Sequence, residues 1–127
     1  MQKRTFVCEL DIKGEPASKA NQRRLVTIRG KPAFIKSSKA LGYVAALRLQ
    51  VRARTHLHTG DLSLTIHIWY ASRRPDLDDA VILDSLQGLI YVNDRQVKER
   101  HLYWHLDRLN PRSKIIIESL DDADDAA

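Results

Sequence analysis

From Asp61 to Tyr70 the chain alternates strictly, with Leu62, Leu64, Ile66, Ile68 and Tyr70 on one side and Ser63, Thr65, His67 and Trp69 on the other. Successive side chains of a strand point to opposite faces, so this stretch predicts a half-buried strand at the centre of a sheet. Arg4 to Ile12 alternates in the same way around Phe6, Cys8, Leu10 and Ile12 and predicts a second strand. Leu25–Arg29 and Pro32–Ile35 flank Gly30-Lys31 and read as a β-hairpin, glycine supplying the freedom that a tight turn needs. Val97–Arg108 and Ser113–Leu120 are expected to close the sheet as an antiparallel pair around Asn110-Pro111.

The pattern changes to helical spacing in two places. Leu41, Val44, Ala45, Leu47 and Val51 predict a helix from about Ala40 to Thr55, capped by the Ser37-Ser38-Lys39 run. Leu83, Leu86 and Ile90 predict the buried side of a second helix reaching about Leu89, with Asp78 or Asp79 at its cap. Strand, hairpin, helix, strand, helix and strand pair make an α+β fold: a mixed, mainly antiparallel sheet packed with two helices.

At 127 residues the chain is long enough for one domain with a core, placed at 1–120. Residues 121–127 are an acidic tail expected to be disordered. They hold four of the 16 acidic residues and none of the 21 basic ones, so residues 1–120 carry a net charge of +9. Such a body attracts polyanions. No stretch approaches the length of a membrane span and the first residues lack a signal-peptide pattern. Cys8 is the only cysteine, which excludes an intrachain disulfide framework or a thiolate zinc cluster and points to a reducing cytoplasm.

Candidate chemistry concentrates in two acidic motifs, Arg73-Arg74-Pro75-Asp76-Leu77-Asp78-Asp79 and Tyr91-Val92-Asn93-Asp94-Arg95-Gln96-Val97. Crowded carboxylates resist ionising together unless a cation sits among them. Oxygen donors without cysteine suit Mg²⁺, with Mn²⁺ as the substitute. Residues two apart in an extended segment point the same way, so Asp76 and Asp78 can reach one ion, with Asp94 brought from the next loop. The plainer alternative is that these acids only cap a helix start and build a turn. Arg73 and Arg74 are the basic pair expected at phosphates, joined by Lys19, Arg23, Arg24, Lys36 and Lys39. Trp69, Tyr70, Tyr103 and Trp104 suit either stacking on unpaired bases or a core or dimer interface. His101 and His105, four apart on a strand pattern, are poor candidates for a shared metal, as is the His56/His58 pair.

These motifs in this order resemble the RusA family of Holliday-junction resolvases of phages and prophages. The similarity rests on Asp76-Leu77-Asp78-Asp79, Leu83-Asp84-Ser85-Leu86 and Asn93-Asp94-Arg95-Gln96-Val97, and upstream on the Gly14–Arg24 loop and Ser37–Tyr43. The likeness covers roughly residues 8–120. It implies a homodimer that cuts branched DNA with Mg²⁺ at Asp76, Asp78 and Asp94, with no membrane and no small-molecule cofactor, in a bacterial host cytoplasm. Two positions depart from the family pattern. Ile82 stands where a lysine is common, which opens the alternative of a non-catalytic binder of structured DNA. Asp79 replaces an asparagine and is expected to serve as the helix cap.

Overall fold

The computed structural model describes residues 2–17 and 23–122. Lys19 and residues 123–127 of the acidic tail lie outside them, as do the side chains of Arg23 and Lys36. In chain order the elements are β1 (Gln2–Lys13), β2 (Arg23–Ile28), β3 (Lys31–Lys36), α1 (Ser38–Gln50), β4 (Leu62–Tyr70), α2 (Ala80–Leu86), a 3-10 turn (Asp94–Gln96), β5 (Val97–Leu106) and β6 (Arg112–Asp122). β6 therefore takes in the first two residues of the acidic run. No helix among the described residues is long and apolar enough to cross a membrane.

Four strands form the main sheet in the order β1-β6-β4-β5, while β2 and β3 pair only with each other. The fold is α+β with a mainly antiparallel sheet, β4/β5 being its one parallel pair. β4 is central, as its alternation predicts: Leu62, Leu64, Ile66, Ile68 and Tyr70 are fully buried. They join Ile12, Ile115 and Ile117 in one core with α1 and α2. Ser37 Oγ accepts the Ala40 N–H at 3.1 Å to start α1. Ala40, Tyr43, Leu47 and Val51 recur at three and four residues and are its buried face. α1 ends at Gln50 rather than Thr55, because Val51 turns extended and Arg52, Ala53 and Arg54 beyond it offer no apolar face.

The closing strands do not pair as expected. β5 lies at the edge, parallel to β4, and β6 crosses to sit between β1 and β4. The intervening α2 explains the first half of this. A chain that leaves one end of β4 and returns through a helix re-enters the sheet in the same direction, as a parallel neighbour. β6, buried at Ser113, Ile115, Ile117 and Ser119, then takes the inner position. Central placement gives those isoleucines a neighbour on both sides, which an edge position cannot.

The hairpin turn is Arg29-Gly30, one residue earlier than the Gly30-Lys31 reading, with Ile28 opposite Lys31. Both turn residues have positive φ, +52° and +78°. This is the two-residue turn whose twist matches paired strands, and glycine at its second position relieves the steric cost.

Candidate functional site

The first acidic motif lies on the segment joining β4 to α2, held down by Tyr70. The Tyr70 hydroxyl donates to the Asp76 carbonyl at 3.1 Å and accepts the Asp78 N–H at 3.3 Å. Burial and the negative charges of Asp78, Glu15 and Asp79 push the Tyr70 phenol pKa up. Trp104 Nε1 clamps the same segment from β5 by donating to the Pro75 carbonyl at 3.0 Å. Glu15 reaches its beginning, accepting the Ala71 N–H at 2.9 Å. A fixed backbone leaves the Asp76 side chain exposed and that of Asp78 half-buried, with Arg73 and Arg74 exposed just before them.

The cap of α2 comes from Asp78, not from Asp79. Asp78 Oδ1 accepts the Ala80 N–H at 3.0 Å, while Asp79, the residue at the cap position, makes no side-chain cap bond. Its carboxylate is 2% exposed and turns to Arg100 of β5, whose Nε lies 3.1 Å from Oδ2. That contact is an ion pair off the line of a hydrogen bond, and among the described residues Oδ2 has no hydrogen-bond partner. Desolvation raises the Asp79 pKa, and Arg100 opposes the rise. The sequence offered no signal for this pair, since Arg100 is one exposed-looking base among many.

The second motif is a knot tied by Gln96. Its Oε1 accepts the N–H groups of Val92 and Asn93 at 3.0 and 2.9 Å. Its Nε2 donates to the carbonyls of His58 and Gly60 at 2.7 and 2.9 Å. Asn93 Oδ1 accepts the Arg95 N–H at 2.9 Å, completing the capping arrangement of the 3-10 turn. The Asp94 N–H donates to Gln87 Oε1 at 3.0 Å, and Gln87 Nε2 reaches Asp84 Oδ1 at 3.4 Å. Polar side chains thus bridge the end of α2 to the loop that presents Asp94 to solvent. Behind them Tyr91 is fully buried, its hydroxyl donating to the Leu83 carbonyl at 2.6 Å. Burial first, then the charges of Asp94, Asp79 and Asp84, push its pKa up.

Asp76 and Asp78 thus stand on one pinned segment and Asp94 on another, and the three are not drawn into a ligand cage. Among the described residues no group of three or more His, Cys, Asp or Glu lies close enough to hold a metal ion. Their donor chemistry suits a hard divalent cation, whereas their spacing does not enclose one. Ile82 is fully buried in α2 among the core residues, so its position faces away from solvent and from any phosphate. Of the basic candidates, Arg24 and Lys39 are exposed, like Arg73 and Arg74.

A different cluster occupies the sheet face opposite the helices. Tyr103, His67, His105 and Trp69 stack in sequence with ring centroids 4.6, 5.1 and 4.6 Å apart, and the Arg112 guanidinium lies 4.2 Å from the Trp69 ring. His67 Nδ1 and His105 Nε2 are 2.9 Å apart, which places one proton between them. Desolvation, with the adjacent His105 and Lys114, lowers the His67 pKa. His101 shares this face but turns to Glu99 at 3.3 Å. Tyr70 and Trp104 pack on the helix side instead, so the four aromatics divide between core and open face. No protein-family model and no curated protein matches the chain.

Proposed function

We propose that the chain is a metal-dependent endonuclease of branched DNA, a four-way junction being its substrate and a homodimer its working form, in a bacterial cytoplasm. The observation that supports this most is the pairing of exposed Arg73 and Arg74 with Asp76 and Asp78 on one segment pinned by Tyr70 and Trp104. A rigid strip with cations and carboxylates side by side suits a phosphodiester, where the cations hold the phosphate and the acids serve hydrolysis. Asp76, Asp78 and Asp94 would hold the ion; when bound, Mg²⁺ or Mn²⁺ supplies Lewis-acid charge and a lower water pKa. Arg73 and Arg74 bind the backbone, and Tyr70 and Gln96 position the two loops. A two-fold dimer would address the two equivalent strands of a junction with one site each. Recognition then rests on shape and phosphates rather than base edges.

Two observations favour a second reading, a junction binder without cutting. Ile82 is a core residue where a basic helper would be expected, and the three acids do not close around an ion in this arrangement. One assay separates the readings: a synthetic four-way junction incubated with Mg²⁺ and wild type or Asp76→Asn. Symmetric nicking that falls at least about 100-fold in the variant, the kinetic equivalent of ~2.7 kcal/mol, supports the nuclease. Tight binding with no nicking in Mg²⁺ or Mn²⁺ supports the binder, and nicking indifferent to Asp76→Asn removes the site assignment.

A further inference from the structure

Among the described residues, the β2–β3 hairpin stands apart from the core of the fold. Neither strand joins the main sheet, and none of its described residues belongs to the core or packs against it. Leu25 and Ile28 are 61% and 50% exposed. An isolated two-stranded hairpin is marginal in water, so a ribbon with apolar side chains in solvent needs a surface to lie on. Its composition indicates which surface. Residues 23–36 include five basic residues and no acidic one, with Arg24, Arg29 and Lys31 exposed and the last two at or beside the tip.

A further strand from another protein chain is a poor occupant. Pro32 removes a backbone donor from β3, and lysine and arginine along an edge discourage pairing. A polyanion is a good one. The major groove of B-form DNA, about 12 Å wide, admits a two-stranded ribbon, whereas the major groove of duplex RNA is too narrow for side chains to enter. Within the DNA-directed reading above, on which this rests, we propose that the β2–β3 hairpin is a basic ribbon that enters the major groove of a duplex DNA arm. Arg24, Ile28 and Lys31 share one face of the ribbon, so Arg24, Lys31 and the turn residue Arg29 pair with the flanking phosphates while Ile28 lies against sugars and base edges.

The test reads binding without cutting, by fluorescence anisotropy of a labelled duplex and a four-way junction in EDTA across a salt series. One variant carries Arg24→Gln, Arg29→Asn and Lys31→Gln, asparagine being chosen because it tolerates positive φ. A control carries Lys3→Gln, Lys13→Gln and Arg108→Gln, which removes equal charge from exposed positions elsewhere. Each lost phosphate contact lowers the slope of log K against log salt by about 0.9, so the hairpin variant should lose about 2–3 from that slope and the control less than about 1. Lys31→Gln alone should lose about 0.9, which keeps the test alive if the triple variant unfolds. Equal slopes for the two triple variants, or an equal loss on duplex RNA of the same sequence, overturn the proposal. Wild type that binds no DNA overturns it together with the nuclease reading. Hairpin-dependent binding without Mg²⁺-dependent nicking leaves the hairpin assignment standing and removes only the nuclease.

Discussion

The main sheet and the β2–β3 hairpin are built from the same strand chemistry and have opposite fates. β4 places five apolar side chains at zero exposure under two helices, while β2 leaves Leu25 and Ile28 in solvent. Hydrogen-bonded pairing is common to both, so pairing does not separate them; burial does. Removing apolar area from water contributes roughly 25 cal/mol per Å², and the main sheet with its helices collects far more of it than the described residues of the hairpin do. The body is thus held by its core, and the hairpin is left for whatever it touches.

Substitution at Ile82 tests that contrast most severely. Ile82→Lys puts an ammonium among core residues, so urea unfolding should show a loss of at least about 4 kcal/mol or no folded protein. Full stability would mean that α2 can turn this position to solvent, reopening it as a site for a basic helper. Ile66→Ala, in the middle of β4, should cost about 2–5 kcal/mol by the same measurement. Leu25→Ala in the hairpin should stay within about 0.5 kcal/mol, and a comparable loss at both positions would erase the distinction between body and arm.

A smaller effect concerns the open face of the main sheet. His67 has its pKa held below the ordinary histidine value of 6.5, because burial and the adjacent His105 and Lys114 favour the neutral ring. The folded state therefore binds fewer protons than the unfolded one near that pH. The stability this contributes is present above about pH 6.5 and is lost as pH falls through the lowered value. Arg112, on the far side of Trp69, has its charge offset by Asp107 at 2.8 Å. Melting temperature should fall from about pH 8 to about pH 5 more in wild type than in His67→Gln, and parallel curves would show that the histidine pair does not carry the effect.

Much of the fold was legible because its causes are local. The alternation of Leu62 to Tyr70, the cap by Ser37 and the glycine in the hairpin turn are each decided within a few neighbouring residues. The candidate site was less so. The aspartates and their motifs can be read from the chain, but which of them caps α2, which one sinks against Arg100 and whether three converge depend on how loops far apart in sequence are laid together. Gln96 shows the same split: as a turn residue it is recognisable, yet its bonds to His58 and Gly60 need a loop some distance upstream.

By itself the sequence determined the elements, the α+β class, the basic charge and the set of carboxylates, since periodicity, capping and composition are properties of contiguous residues. Tertiary structure decided that β6 rather than β5 lies beside β4 on its antiparallel side. It also made Ile82 core and Asp79 an ion-pair partner, and it left the hairpin outside the core. The physical reason is burial: which surfaces are taken from water is settled only when all the elements compete for the same interior.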